Sequence, residues 1–273
     1  METITSRQNR TVRQAAALLA SPGERRQRRE FLCEGARLCR DAALSGLKVR
    51  QCFFTVGARE KYASYLEPVL KVCEEAFQVE EHVAGLLSST KSSQGVYCVC
   101  AWPDSLRGAG ELPLPERSCV VLENLQDPGN LGTVLRTAEA LGIGWVYLLG
   151  ECCDPLSPKV LRASMGAVFR LSLGVEPSCQ GLCVRLREGG FTLLASVPDR
   201  SARPVTELDF SQGLWAAFIG NEGRGLTPEA IAQCGLRGVI PMAGRAESLN
   251  ASAAATILLW ELARAGGKEA SHG

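Results

Sequence analysis

Residues 214–260 read LWAAFIGNEGRGLTPEAIAQCGLRGVIPMAGRAESLNASAAATILLW, and they decide which class of fold the chain forms. The apolar run Leu214–Ile219 predicts a buried strand that ends at a glycine-rich loop, residues 220–225. Three glycines in these six residues allow the backbone to turn sharply and to approach a ligand closely. Thr227 and Pro228 then predict the N-cap and the first residue of a helix.

A second strand, loop and helix follow directly. Residues 238–241 predict a short strand at a sheet edge, because Pro241 cannot donate to a ladder. A polar loop over residues 243–250 leads into an apolar helix over residues 251–263. Because the carboxyl ends of parallel strands meet at one edge of a sheet, we expect the two loops to lie side by side there. Open α/β sheets bind their ligands at that edge.

The chain before residue 214 repeats this alternation. A strand at residues 119–122 precedes a helix at residues 129–141, whose apolar stripe is Leu131, Val134, Leu135 and Ala138. Further patterns predict strands at residues 145–149, 169–173 and 191–197, and helices at residues 159–167 and 179–188. Repeated βα units predict an α/β fold with a parallel sheet.

Residues 1–105 predict a separate, smaller α/β domain. Apolar residues recur at helical spacing within residues 3–19, and short strands then alternate with helices as far as residue 101. Residues 106–117 are rich in Gly and Pro without periodicity, which is typical of a linker. The second domain is then expected to span residues 118–273.

Positive charge is concentrated at the start of the chain. The net charge of all 273 residues is only +1, yet residues 1–50 carry eleven Lys and Arg against five acidic residues, or 11 − 5 = +6. Four of the arginines, Arg25, Arg26, Arg28 and Arg29, fall within five residues. Guanidinium groups form paired hydrogen bonds with phosphates, so this cluster favours contact with phosphate groups. The alternative is a solvated helix face.

Several classes of protein are disfavoured. No apolar run reaches the roughly 18–20 residues that span a bilayer, and the start of the chain lacks a secretory signal, so we expect a cytoplasmic protein. Twelve cysteines are scattered without a C-x-x-C pair, and there are only two histidines, which predicts neither a metal site nor a disulfide framework. Most of the cysteines are expected in the core, although the pair Cys152 and Cys153 leaves a reactive thiol open.

Three motifs, in order, resemble those of one enzyme family. The first runs from Asn124 through Asp127, Pro128 and Asn130 to Arg136. The second is residues 218–226, FIGNEGRGL, and the third joins IPM at residues 240–242 to SLNAS at residues 248–252. Together they resemble the signature of the SpoU/TrmH family, which are RNA ribose 2′-O-methyltransferases of the SPOUT class. The element order of residues 1–105 resembles the ribosomal-protein-like substrate-binding domain that precedes the catalytic domain in many members.

The resemblance implies a fold, a cofactor and a set of site residues. It implies a parallel sheet with a C-terminal trefoil knot, S-adenosyl-L-methionine as methyl donor, and a homodimer with Arg136 reaching across to the partner's site. The expected catalytic residues are Arg136, Asn130, Glu222, Ser248 and Asn250. The expected donor-binding residues are Gly220, Asn221, Gly225, Ile240, Met242 and Leu249. RNA contacts are expected at Arg7, Asn9, Arg25, Arg26, Arg28 and Arg29.

Plainer roles remain open for several of these residues. Asn130 lies at a helix N-terminus, which favours an anion such as a phosphate, but a capped turn without a ligand has the same pattern. Glu222 and Asn250 are also typical helix caps. Arg136 has been assigned as a base in the family, whereas a guanidinium that keeps its proton would instead stabilise a developing alkoxide.

The sequence favours one class of RNA substrate but does not identify the RNA. The separate N-terminal domain favours large-subunit ribosomal RNA, and transfer RNA is the alternative. Two other functions remain: a catalytically inactive RNA-binding or ribosome-assembly protein of the same fold, and a base methyltransferase of another SPOUT branch. The complete polar set in the three motifs argues against the former, and the Ser-Leu-Asn sequence at residues 248–250 argues against the latter.

Overall fold

The computed structural model describes residues 2–266, which form thirteen strands and eleven α-helices. The strands are β1 Glu2–Ile4, β2 Glu30–Glu34, β3 Val49–Phe54, β4 Glu75–Val79, β5 Val96–Ala101, β6 Leu106–Arg107, β7 Cys119–Glu123, β8 Trp145–Leu149, β9 Ser172–Glu176, β10 Phe191–Ser196, β11 Arg203–Pro204, β12 Leu214–Ile219 and β13 Leu236–Val239. The helices are α1 Arg10–Ala20, α2 Pro22–Arg28, α3 Ala36–Leu44, α4 Val56–Lys61, α5 Ala63–Val72, α6 Glu81–Ala84, α7 Pro128–Ala140, α8 Pro158–Ala163, α9 Cys179–Glu188, α10 Pro228–Gln233 and α11 Ala251–Gly266.

The chain packs as two units. The first contains residues 2–104 together with Asp154–Phe169, and the second contains Ser105–Cys153 together with residues 170–266. The predicted second domain extends to residue 273, and its last seven residues lie outside the described part of the chain.

The first unit is built on a five-stranded sheet in the order β1-β4-β3-β5-β2. Strands β1, β4 and β3 are parallel, whereas β5 is antiparallel to both β3 and β2. Helix α1 covers this sheet with Val12, Ala15 and Leu18, which pack in one cluster with Phe53 of β3. The small α/β domain predicted for this part of the chain is confirmed.

The first helix is shorter than the helical pattern within residues 3–19 predicts. Glu2–Ile4 form β1, which pairs with β4, and helix α1 begins only after Asn9. The Asn9 side chain accepts hydrogen bonds from two backbone amides of the first turn, and this cap fixes where the helix starts.

Residues Asp154–Phe169 fall within the range predicted for the second domain, but they pack in the first unit. The Phe169 ring lies 5.8 Å from the ring of Phe31 in β2. The Asp154 carboxylate pairs with Arg25 of α2 at 2.7 Å. Contacts between residues far apart in sequence therefore decide where this segment belongs, and no local pattern marks it.

The predicted helix over residues 159–167 also ends early, at Ala163. Met165 and Gly166 adopt positive φ angles of 50° and 76°, which a helix cannot contain. The next strand, predicted at residues 169–173, accordingly begins at Ser172.

The second unit is built on an eight-stranded sheet in the order β11-β13-β10-β12-β7-β8-β9-β6. Every neighbouring pair in it is parallel, which confirms the predicted parallel α/β fold. Strand β6 lies within residues 106–117, which were predicted as a linker, and it pairs with β9. Strand β13 ends at Val239 and is not the edge strand, because β11 lies outside it.

The strand order brings four loops to one edge of this sheet. Ala217 of β12 lies opposite Val120 of β7 on one side and Leu194 of β10 on the other. The loops that follow β7, β10, β12 and β13 therefore meet at the carboxyl edge. The loops after β12 and β13 are not direct neighbours as predicted, because β10 lies between their strands.

Helices α7 and α11 pack against each other next to this edge. The predicted apolar stripe of α7 is confirmed, since Leu131, Val134, Leu135 and Ala138 are fully buried. Helix α11 buries Leu258, Leu259 and Leu262, while its Trp260 is 55% exposed. Within residues 2–266, no helix has both the length and the apolar character that a membrane crossing requires.

Candidate active site

The loop after β12 is closed by its own backbone. The amide of Asn221 donates to the Gly225 carbonyl at 3.0 Å, and the amide of Gly225 donates back to Asn221 at 2.9 Å. The Asn221 side chain accepts from the amides of Gly223 and Arg224 inside the loop. A Cβ on Gly220 would lie 2.1 Å from the carbonyl carbon of Gly225, so position 220 admits only glycine.

Glu222 joins this loop to the first motif. Its Oε1 accepts from the Asp127 amide at 3.2 Å and from Asn130 Nδ2 at 3.1 Å. The Asn221 side-chain amide donates to Glu222 Oε2 at 3.2 Å and to the Asn124 carbonyl at 2.8 Å. Two segments nearly a hundred residues apart in sequence are thereby fixed as one polar cluster.

Backbone amides at the N-terminus of α7 already donate hydrogen bonds to carboxylates of this chain. Asp127 is the N-cap and accepts from the Asn130 amide at 2.8 Å, and the Glu222 carboxylate lies beside it. The expectation that Asn130 marks a phosphate site is therefore not supported, because carboxylates of this chain occupy that position.

Arg136 lies further along α7, on its exposed side. It makes no hydrogen bond or ion pair to any residue in the described part of the chain. Its five N–H donors are therefore available to a group from outside the protomer.

A cavity of about 530 Å³ opens between the loops that follow β10, β12 and β13. This is a usual size for a small-molecule site. All six residues expected to bind the methyl donor line it: Gly220, Asn221, Gly225, Ile240, Met242 and Leu249. Glu222 and Ser248 line it too, whereas Asn130, Arg136 and Asn250 do not.

Asn250 has the plainer role at the end of the third motif. Its Oδ1 accepts from the Ser252 amide at 2.9 Å and from the Ala253 amide at 3.4 Å, which makes it the cap of α11. Ser248 and Leu249, just before it, are exposed residues of the loop at the cavity wall.

Sequence reasoning missed the contribution of β10. Residues 196–199 line the cavity, and the Asp199 carboxylate pairs with Arg237 of β13 at 3.2 Å. The Pro198-Asp199 dipeptide after a predicted strand is an ordinary turn signal. It becomes informative only once β10 is known to lie between β12 and β13.

A second missed residue, Glu123, supports the cavity from behind. It is 4% exposed, and its two oxygens accept from the amide and the hydroxyl of Thr227, each at 2.7 Å. Thr227 in turn caps α10 through the Ala230 amide, as predicted from the Thr-Pro pair. The buried carboxylate thus anchors the end of the glycine-rich loop to β7.

The basic residues of the first unit do not act alike. Arg25 is 2% exposed, pairs with Asp154 and donates to the Leu18 carbonyl at 2.6 Å, so it has no face left for a phosphate. Its expected contact with RNA is replaced by a structural role. Arg28 is half-buried and pairs with Glu30 at 2.6 Å.

The remaining residues expected to contact RNA are more accessible. Arg7, Arg26 and Arg29 are exposed, and Arg29 lies over the Trp102 ring at 5.5 Å. Asn9 is half-buried, and its side-chain oxygen caps α1.

Cys152 is built into the loop of the first motif. Its thiol donates to the Leu122 carbonyl at 3.2 Å and accepts from the Leu125 amide at 3.4 Å. Burial raises the pKa of the Cys152 thiol to about 11, which disfavours the reactive thiolate. Across residues 2–266, no cluster of three or more His, Cys, Asp or Glu side chains has the arrangement to hold a metal ion.

Comparison with known proteins gives two family matches. Residues 117–260 match the model of the SpoU rRNA Methylase family, and residues 9–98 match the MRM3-like substrate binding domain. The two matches together include all three motifs and the basic cluster.

Individual relatives match over nearly the whole chain. An uncharacterized tRNA/rRNA methyltransferase of Synechocystis is 34% identical, over 96% of this chain and 93% of the relative. The 23S rRNA (guanosine(2553)-2′-O)-methyltransferase RlmP of Bacillus subtilis is 29% identical, over 96% of this chain and 99% of its own. The structure of the SpoU methyltransferase AviRb from Streptomyces viridochromogenes, in complex with AdoMet, matches with a TM-score of 0.82 at 27% identity, covering 97% of this chain and 100% of that one. The chain therefore has the SPOUT fold and belongs to the SpoU rRNA methylase family.

Proposed function

We propose that this protein transfers a methyl group from S-adenosylmethionine to a ribose 2′-hydroxyl of ribosomal RNA. One observation carries the proposal: Glu222, in the wall of the cavity, is hydrogen-bonded at 3.1 Å to Asn130 of the first motif. This contact joins the first two motifs, and residues of the third motif line the same cavity, at the carboxyl edge of the parallel sheet where such sheets bind ligands.

The cavity fits the donor in shape and chemistry. Its glycine-rich wall presents bare backbone, whose N–H and C=O groups match the edge of an adenine, and Ile240, Met242 and Leu249 add apolar surface for the ring. S-adenosylmethionine carries no phosphate, which agrees with a loop that lacks the Lys of a P-loop. When bound, this cofactor supplies an electrophilic methyl group.

We assign Arg136 to interact with the ribose 2′-hydroxyl that receives the methyl group. A ribose hydroxyl is a poor nucleophile, so alignment and stabilisation of its developing negative charge are the main needs. The Arg136 guanidinium has no competing partner in residues 2–266, and a guanidinium carries only hydrogen-bond donors, so we assign it the role of an electrostatic stabiliser rather than that of a base. Asn130 and Glu222 position the motif loops, and Ser248 lines the cavity together with Glu222.

Named relatives support ribosomal RNA as the substrate class. RlmP is named as a 23S rRNA 2′-O-methyltransferase, and the match to it extends over both units of this chain. We carry that substrate class over because the substrate-binding unit is matched as well as the catalytic one. A cytoplasmic location and the trefoil knot stay predictions.

The reaction is tested by identifying its product. We expect the purified protein, given donor with an isotopically labelled methyl group together with a large-subunit rRNA transcript and transfer RNA, to label the rRNA. After the two RNAs are separated and digested completely with nuclease, mass spectrometry should show a labelled 2′-O-methylnucleoside from the rRNA. A label on a base would assign the protein to another SPOUT branch. A label only on transfer RNA would favour the alternative substrate, and no label despite donor binding would favour the inactive RNA-binding protein.

The accessible arginines of the first unit are our proposed phosphate contacts. We expect Arg26→Ala with Arg29→Ala to weaken rRNA binding and to lower the slope of log affinity against log salt by about 1.5, as two lost phosphate contacts require. Arg25→Ala is the matched control. It breaks a buried pair, so it should lower the free energy of unfolding by about 3 kcal/mol and leave the salt slope of the folded protein unchanged. An unchanged slope in the double variant would return these residues to the solvated-face alternative.

We propose further that two copies of the chain form a homodimer through α11. The helix buries one face, Ala255, Leu258 and Leu262, within its own unit, yet Trp260 remains 55% exposed. An exposed tryptophan on a helix that already has a packed face supports a protein interface. In such a dimer, the unpartnered Arg136 would reach the active site of the other subunit.

A further inference from the structure

The first unit contains a pocket of its own, of about 310 Å³. Its floor is apolar and consists of Leu38 of α3 together with Leu161 and Met165. Its rim is polar and charged, and includes Arg37, Asp41 and Gln94. The volume lies within the range of small-molecule sites, and neither the catalytic motifs nor the basic cluster contributes to this pocket.

A buried carboxylate makes the rim rigid. Glu34, 8% exposed, accepts from the Ser88 hydroxyl at 2.6 Å, from the Ser89 amide at 2.8 Å and from the Thr90 hydroxyl at 2.7 Å. Burial alone would raise the pKa of Glu34, but these hydrogen bonds outweigh it and hold the pKa below its ordinary value. Arg162 closes the cluster through a 2.5 Å hydrogen bond to the Ser89 hydroxyl. The loop before β5 is therefore held in one shape by an ionised group.

Hydrogen-bonding groups around the pocket are oriented but only partly used. The Gln94 carbonyl oxygen accepts from the Ala36 amide at 2.8 Å, which fixes the carboxamide, and its Nε2 has no partner within residues 2–266. The Arg37 side chain is 64% exposed, and its Nε lies 3.9 Å from the nearest oxygen of Asp41. This distance is too long for a hydrogen bond, so most of the Arg37 donors remain available.

The floor shows a conformation that a non-glycine residue rarely adopts. Met165 has φ of 50° and is 37% exposed at the pocket, so an apolar residue is partly presented to solvent from a strained backbone conformation. Strain of this kind is retained where a binding surface needs it, and a methionine side chain adapts its shape to a flat ring.

We propose that this pocket binds one unstacked nucleobase of the RNA substrate, and thereby serves as a specificity site separate from the methyl-donor cavity. The Leu38 and Met165 side chains would contact the face of the base, and the Gln94 amide and Asp41 carboxylate its hydrogen-bonding edge. Sequence-specific recognition of RNA depends on such splayed bases, and adjacent guanidinium groups pair with their phosphates. The proposal rests on the proposed function only in taking RNA as the substrate.

Filling the pocket tests this assignment. Ser92 lines the pocket, is exposed and makes no hydrogen bond in the described part of the chain, so Ser92→Trp adds bulk there without removing a contact. We expect Ser92→Trp to raise the KM for the rRNA transcript about tenfold with the donor Kd unchanged, since a stacked base contributes on that scale. Ser64→Trp, the same change at an exposed serine of α5 outside the pocket, should match the wild type. Equal RNA KM values for Ser92→Trp and Ser64→Trp would overturn the proposal.

A second measurement does not depend on catalysis. Single-stranded RNA hexamers containing 4-thiouridine, irradiated with the full-length protein, should form crosslinks to the peptide carrying Leu38 or to that carrying Met165. Arg37→Gln should reduce these crosslinks, while Arg59→Gln, an equal charge change on α4 of the same unit and outside the pocket, should not. Crosslinks found only elsewhere would refute the pocket. Pocket crosslinks in a protein that fails to methylate RNA would refute the proposed reaction and leave the pocket standing.

Discussion

Replacing Gly220 with alanine is expected to abolish high-affinity donor binding. The added Cβ would lie 2.1 Å from the Gly225 carbonyl carbon and 2.1 Å from the Leu226 amide nitrogen. Both are backbone atoms, so no side-chain rotation relieves the clash, and the loop that forms the cavity wall has to move. We expect a loss of about 3 kcal/mol, or about a hundredfold in the Kd for S-adenosylmethionine measured by calorimetry.

Gly223→Ala is the control for that substitution. It lies in the same loop, but the nearest atom to its added Cβ is the Asn221 Oδ1, at 3.8 Å, which is ordinary contact. Its donor affinity and its circular-dichroism spectrum should match those of the wild type. Equal donor affinity in Gly220→Ala and Gly223→Ala would mean that the cavity beside residues 220–225 is not the donor site.

Arg136→Ala is expected to lower kcat by about a hundredfold to a thousandfold while leaving the donor Kd unchanged. The guanidinium lies outside the donor cavity and is assigned to charge that develops only in the transition state, so its loss affects the rate and not donor binding. Arg117→Ala removes another exposed arginine of the same unit and should keep full activity. A drop in donor affinity equal to the drop in kcat would contradict the assignment.

The same variant tests the homodimer. Glu222→Ala should also be inactive, because it removes the carboxylate that holds Asn130 and the Asp127 amide. If Arg136 serves the partner's site, a heterodimer of the two variants contains one intact site. Random mixing of equal amounts should then restore about a quarter of the wild-type activity. No recovery, or a fully active monomer by light scattering, would contradict the shared site.

Local sequence predicted the parts of the site better than their arrangement. The glycines of residues 220–225 and the Thr227-Pro228 cap are continuous signals, and both form as expected. The link from Glu222 to Asn130 spans 92 positions, so it follows only from the order β12-β7 in the sheet. Asp199 was missed for the same reason, since β10 enters the site only through its place between β12 and β13.

The basic cluster shows a different limit. Four arginines in five residues are equivalent in composition, and charge alone assigns all of them to solvent or to RNA. The structure separates them, because α2 turns Arg25 inward to an acid 129 positions away, while Arg26 stays exposed. No local sequence pattern indicates that Asp154 packs in the first unit, although the residues before it belong to the second unit.

Calorimetric titration of the purified, full-length protein with S-adenosylmethionine tests the central claim most directly. We propose that the glycine-rich loop and the loop at residues 240–250 together form a donor site that needs no metal. We therefore predict saturable binding of one donor per chain, the same in the presence of EDTA, with competition by the demethylated product S-adenosylhomocysteine. Absence of binding by both compounds, with and without rRNA present, would contradict the account.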